Sequence, residues 1–171
     1  MSETTQQYVG RITGYVAGKD HFKVLQATPK KIARLLKNVP ARTLARKTAQ
    51  DKWSAAEIVA HLAESEIVFS YRLRLVLGAN GTPIQAFDQN SWQENATYII
   101  EDPKAAVRLF RSLRESNVAL LQSTPKEQWD RFGMHQERGK ETVSRMVEMF
   151  AGHDVNHIRQ IEIIVGKKRA R

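Results

Sequence analysis

Apolar residues in this chain recur three and four positions apart far more often than they alternate, and that spacing predicts helices rather than strands. From about Thr5 to Val16, Tyr8, Ile12, Tyr15 and Val16 fall at helical spacing, and Gly18 ends the run. Asp20 is placed to cap a short helical piece through Leu25. Thr28-Pro29 then predicts a new helix, because proline suits the first helical position, with Ile32, Leu35, Leu36 and Val39 as its apolar face and Pro40 as its stop. The clearest start comes next. Ser54 and Glu57 form an S-x-x-E capping box, flanked by Trp53 and Ile58 as a hydrophobic staple. That helix runs to about Leu77, and Gly78 stops it.

Residues 79–101 read as a long loop or short helices containing Phe87, Asp88, Gln89, Trp92 and Tyr98, and loops of this length in compact domains often carry function. Asp102-Pro103 opens a third long helix with Val107, Phe110, Val118 and Leu121 on its apolar face. Thr124-Pro125-Lys126-Glu127 predicts a short turn through Trp129, and Gly133 to Gly139 reads as irregular. A last long helix spans Thr142 to Val165, with Gly166 after it. Alternating β-branched runs are few. Four long helices predict an all-α four-helix bundle, one domain over residues 1–171 with its core at about 20–166 and a basic tail at 167–171.

Composition adds limits. With 42% hydrophobic and 26% charged residues the chain has an ordinary globular make-up. No apolar run approaches a membrane span, and the first residues lack the pattern of a signal peptide, so a cytoplasmic protein with no membrane partner is expected. The chain has no cysteine, which excludes disulfides, thiolate nucleophiles and Cys-ligated metal sites. The net charge of +9 sits at the two ends: residues 1–52 hold 11 Lys/Arg against 3 Asp/Glu, and the last five residues hold four basic side chains. Without a nucleic-acid fold signature this reads as a solvated surface, and nucleic acid is not an expected partner.

The histidines carry the candidate chemistry. His153 and His157 are four apart, so on a helix they lie one above the other. Met146, Phe150, His153, His157, Ile161 and Ile164 step by four, three, four, four and three, which puts both imidazoles on the stripe that faces the core. Buried imidazoles need partners. A shared metal supplies one; backbone carbonyls or neighbouring side chains are the plainer alternative. His61, one turn past the capping box and beside Ile58 and Leu62, is placed near the inner face of the second long helix. Three His nitrogens from two helices leave a coordination position for water or substrate, as catalytic metal sites do.

Residues 53–66, WSAAEIVAHLAESE, and 151–161, AGHDVNHIRQI, together resemble the second- and fourth-helix signatures of the DinB/YfiT-like superfamily. Asp88-Gln89-Asn90-Ser91-Trp92 and Glu137-Arg138-Gly139 resemble its intervening segments, so the likeness spans about Asp20 to Gly166. The resemblance implies an up-down-down-up four-helix bundle, metal ligation by His61, His153 and His157 with nickel, zinc or iron, and a homodimer. It also implies a metal-dependent hydrolase, or a transferase of low-molecular-weight thiols, acting on a small molecule through metal-activated water or thiol. The alternative is a non-enzymatic bundle whose basic surface meets an acidic partner.

Around the three histidines, Glu64 is placed to orient His61 or to act as a base, with a solvent-facing glutamate as the alternative. Arg72 could hold a substrate carboxylate, although a surface arginine is the plainer reading. Asp154 points about 100° away from His153 and is not an expected ligand. Gln160 is the better partner for a ligating histidine. His135 reads as a surface residue or as part of a pocket mouth, and Trp92 and Tyr98 as a pocket roof or as core aromatics.

Overall fold

The computed structural model describes residues 3–95 and 102–167. Its helices are α1 (Thr5–Gly14), α2 (His21–Leu36), α3 (Ala41–Leu44), α4 (Ala55–Gly78), α5 (Gln89–Asn95), α6 (Pro103–Ser123) and α7 (Val143–Ile164). Most begin where the sequence supplies an acceptor for the free amides of the first turn. Ser54 caps α4 and Glu57 answers it, Asp102 caps α6, and Thr142 caps α7. A 3₁₀ turn at Lys126–Gln128 follows the third long helix. Tyr98 and the tail beyond Lys167 lie outside the described residues.

The long helices α2, α4, α6 and α7 make the bundle. One apolar cluster joins the C-terminal halves of α2 (Ile32, Leu35) and α7 (Ile158, Ile161, Ile164) to the N-terminal halves of α4 (Ile58, Leu62) and α6 (Ala106, Phe110). The helices therefore run up, down, down and up. Both α2 and α4 pack against α6 and α7, so the first and second long helices face each other across one diagonal and the third and fourth across the other, while α4 and α6 are neighbours. At the opposite end a second cluster gathers Leu25, Phe69, Leu73, Val76, Leu121, Val143 and Met146. Between the two apolar ends lies a polar layer containing Glu66, Arg114, Asn117, Asp154 and the histidines His61, His153 and His157.

Two sequence expectations are corrected. Residues 21–36 form one helix with Pro29 inside it, not two pieces divided at Thr28. Proline offers no N–H to the carbonyl four residues back, and a helix survives this only if that carbonyl finds another donor. Here the Leu25 carbonyl accepts from Arg114 Nη1 at 3.0 Å. The segment at 133–139 is a hairpin rather than irregular chain. Strands β2 (Phe132–His135) and β3 (Gly139–Thr142) pair antiparallel, and β1 (Thr82–Ile84) adds in parallel to β2. Gly133 makes that pairing possible: a Cβ there would stand 2.4 Å from the Ile84 side chain. Ile84 belongs to the second apolar cluster, so the sheet closes that end of the bundle.

Helix α1 lies along α7. Its Ile12 carbonyl passes so close to Gly152 that a Cβ there would come within 2.2 Å of the oxygen. Arg11 reaches Asn156 Oδ1 at 2.8 Å and fixes the contact. This placement brings the N-terminal segment beside the histidines.

Candidate metal centre

His61 comes from α4, and His153 and His157 from successive turns of α7. Their Nε2 atoms converge: His61 to His153 at 2.9 Å and His157 to His153 at 3.1 Å. One ring nitrogen from each lies within 4.8 Å of the others, and among the described residues no cysteine or carboxylate joins the group. Ligands about 2.0–2.1 Å from a tetrahedral ion sit roughly 3.3 Å apart, so the spacing suits one small divalent ion. The rings are held from the side by Trp53, whose centroid lies 4.7 Å from that of His61, and by Phe150 at 5.9 Å from His153.

The protonation states fit as well. Gln160 Oε1 lies 2.7 Å from His157 Nδ1. An amide oxygen only accepts, so Nδ1 carries the proton and Nε2 keeps its lone pair for the shared space. Burial lowers the pKa of all three imidazoles, His157 to about 4, and so holds them in the neutral form a metal requires. Three facing nitrogens cannot satisfy one another with protons alone, because each contact needs one donor and one acceptor and His153 Nε2 belongs to two. His153 Nδ1 is buried without a partner. A cation among the three lone pairs resolves the shared contacts, and the donor set fits a divalent metal.

His153 also lines a cavity of about 640 Å³ between α4 and α7, closed by the N-terminal segment, the 86–90 loop and the β2–β3 hairpin. The histidine cluster therefore borders, through His153, a space that a small molecule could enter. Arg72 and His135 line the same cavity. Neither is the surface residue that the plainer sequence reading made it: Arg72 is 5% and His135 3% exposed. Helix α4 packs its second half under the 85–87 loop, which covers Arg72, and His135 is drawn in by its strand.

The other candidates fall elsewhere. Trp92 is exposed on α5 and meets Phe87 edge to face at 5.2 Å; Phe87, not Trp92, lines the cavity. Glu64 is buried, which raises its pKa, but it is neither on the cavity wall nor hydrogen-bonded to His61. Ser65, one turn on, is the α4 side chain within hydrogen-bond reach of that ring, its Oγ 3.4 Å from Nε2. Gln160 sits behind His157, on the side away from the cavity, beside a smaller cleft with Trp53. Asp154 is not in the metal cluster.

Asp154 instead belongs to a feature that the sequence reading missed. Arg114, buried at the bundle centre, donates from Nε and Nη2 to Glu66 at 2.9 and 2.8 Å and from Nη1 and Nη2 to Asp154 at 2.5 and 3.1 Å. With the bond to Leu25, all five guanidinium hydrogens are used. Asn117 donates to Glu66 at 2.7 Å. The signal was present: Arg114 interrupts the apolar stripe Val107, Phe110, Val118, Leu121, and Glu66 falls between Leu62 and Phe69.

Comparison with known proteins adds the family. The DinB superfamily profile matches residues 25–161. The chain belongs to the DinB superfamily. Two curated relatives bear provisional names as metal-dependent hydrolases. One, from Oceanobacillus iheyensis, is 24% identical over 144 residues, covering 83% of this chain and 82% of its own. The other, YfiT from Bacillus subtilis, is 25% identical over 142 residues, covering 82% and 79%. The solved structure of Bacillus subtilis YfiT, described as a probable metal-dependent hydrolase with an unusual four-helix bundle topology, superposes with a TM-score of 0.79 at 21% identity. It covers 95% of this chain and 88% of its own, and it supports the DinB bundle arrangement traced above. No helix among the described residues is long and apolar enough to cross a membrane.

Proposed function

We propose that this DinB protein is a metal-dependent hydrolase of a small molecule, with His61, His153 and His157 as ligands to one nickel, zinc or iron ion. The observation that carries the reading is the convergence of three neutral imidazoles, one of which, His153, lines a cavity, with no fourth protein ligand in the cluster among the described residues. Structural zinc sites are closed by four protein ligands, whereas catalytic sites keep a position free. A divalent ion in such a place supplies Lewis acidity, lowering the pKa of a water or thiol and polarising the substrate. S-transfer from a low-molecular-weight thiol would use the same open position.

The chain's own residues have definable parts. Gln160 holds the His157 proton on Nδ1 and so aims the Nε2 lone pair at the site. Met146, Met149 and Phe150 give the cavity an apolar wall next to His153, which limits the water around a bound substrate. His135, with its pKa pushed down to about 4 by burial and Arg138, stays neutral near pH 7 and offers a donor rather than a charge. In this reading the protein works as a homodimer in the cytoplasm.

Cobalt substitution tests the proposal. Purified protein should take up close to one cobalt ion per chain, and a small thiol should shift its visible absorption. His157→Ala should lose most of the metal and the shift with it. Full metal retention in that variant, or a cobalt spectrum indifferent to every added small ligand, would overturn the reading.

A further inference from the structure

The cavity beside the histidines holds a second set of groups whose bonding is incomplete. Arg72 is nine-tenths buried, and among the described residues its guanidinium makes one hydrogen bond, from Nη2 to the Gln85 carbonyl at 2.5 Å, and no salt bridge. Phe87 lies 5.7 Å from its Cζ and covers one side. A guanidinium has five donors and a fixed charge, so most of its bonding capacity is left to the water of the cavity.

The charged neighbours do not answer it. Glu141 is taken by Arg138 at 2.5 and 3.1 Å, and Glu3 by Arg11 at 2.8 Å. Asp88 accepts from the Asn90 and Ser91 amides at the start of α5. Asp88 and Glu137 are exposed at the rim, where water satisfies them.

His135 supplies an independent pointer. Its Nδ1 accepts from the Glu137 backbone amide at 3.1 Å, which places the ring proton of the neutral imidazole on Nε2. That Nε2–H is buried and has no acceptor. The unmet group is therefore a donor, and whatever completes it must offer an acceptor. His135 is adjacent to Arg72 through the sheet: Ile84 pairs with His135 in register, and Gln85, the next residue, accepts from Arg72. A cation whose unspent donors meet only protein-free space or water and a buried N–H donor with no acceptor line the same cavity, and together they match the two oxygens of a carboxylate.

We propose that Arg72 and His135 form a carboxylate-binding subsite. It takes the acid end of a small molecule whose body lies along Met146, Met149 and Phe150 and whose reacting part reaches His153. The position of that reacting part rests on the metal-centre reading above; the subsite itself does not. The carboxylate replaces water around Arg72 and caps the His135 Nε2–H, so the cavity discriminates by charge at one end and by apolar fit along its length.

Calorimetric titration of chelator-treated full-length protein tests the subsite without the metal. The probes are 3-phenylpropionate, the isosteric 3-phenylpropionamide, and 2-phenylethylphosphonate. The acid should bind at least about tenfold tighter than the amide, the scale of a charge-assisted hydrogen bond inside a protein. Arg72→Met should bring acid and amide within about twofold of each other, and His135→Leu should cut the preference severalfold. If Arg72→Met does not fold, the wild-type ratio and His135→Leu decide. Equal binding of acid and amide, no binding of the acid, a phosphonate bound more tightly than the acid, or a preference unchanged in the foldable variants overturns the assignment. Metal content measured on the same preparations separates the two readings: acid preference in a protein that never takes up metal keeps the subsite and removes the metalloenzyme.

Discussion

Two polar clusters share the middle layer of this bundle, and they are chemically opposite. Around Arg114 every guanidinium hydrogen has an acceptor, and those acceptors come from α2, α4 and α7. Around His153, one residue before Asp154, nitrogens face nitrogens and one ring nitrogen has no partner. Both clusters are buried and both interrupt apolar stripes, so burial alone cannot tell them apart. What separates them is bonding capacity: the first has none left, and the second has lone pairs directed at a common point. A saturated polar cluster holds helices in register; an unsaturated one at a cavity binds something.

The largest effect expected from this contrast is on folding. Arg114→Met leaves the Glu66 and Asp154 carboxylates buried without their cation and should cost about 3–5 kcal/mol in unfolding free energy by urea titration. Replacing Glu66, Arg114 and Asp154 together by apolar residues of similar volume should recover most of that loss, since no charge is then left stranded. A loss below about 1 kcal/mol for Arg114→Met would mean that the saturated cluster does not tie the bundle together.

The second effect is pH-dependent and belongs to the histidine cluster. Burial lowers the folded-state pKa of His157 to about 4 from an ordinary 6.5. The unfolded chain takes up that proton first as pH falls, so stability is complete above about pH 6.5 and drains away towards pH 4. For His157 alone the change amounts to about 3 kcal/mol. Other groups titrate in this window, so the measurement is the stability difference between metal-free wild type and His157→Gln. That difference should move against the wild type by about this amount from pH 7 to pH 4. A difference that does not change with pH would show that the imidazole is not held neutral by burial.

The same contrast explains what could be read from the residues. Helix starts were legible because Ser54, Asp102 and Thr142 act through bonds within four residues. The meeting of the three histidines was legible too, from the stripe on α7 and the two family-like motifs. The strands were not. Thr82–Ile84 contains a proline and Phe132–His135 a glycine, and such short segments become strands through pairing with each other rather than through their own preference. Missing them left His135 looking exposed, although its strand buries it. Pro29 misled for a similar reason: the donor that keeps its helix whole is Arg114, 85 positions away in sequence, and local reading cannot see it. Arg114 itself was visible as a charge on an apolar stripe, but only the arrangement of four helices shows which carboxylates meet it.

The smallest effect lies at the edge of the histidine cluster and sharpens the contrast most. Gln160 is exposed, yet its Oε1 fixes the His157 tautomer at 2.7 Å. Gln160→Leu removes the acceptor without touching a ligand. Hydrogen-bond partners of ligating histidines are worth about 10–100-fold in metal affinity. Water can reach this position and replace part of the bond, so the loss should fall near the tenfold end, read by competition with a coloured chelator. Gln160→Glu offers a charged acceptor at the same place, makes the imidazole more basic, and should bind metal at least as tightly as wild type. If the leucine and glutamate variants matched wild type, the His157 lone pair would be aimed by packing against Trp53 alone, and the distinction between a bonded frame and an open site would stop at the three rings.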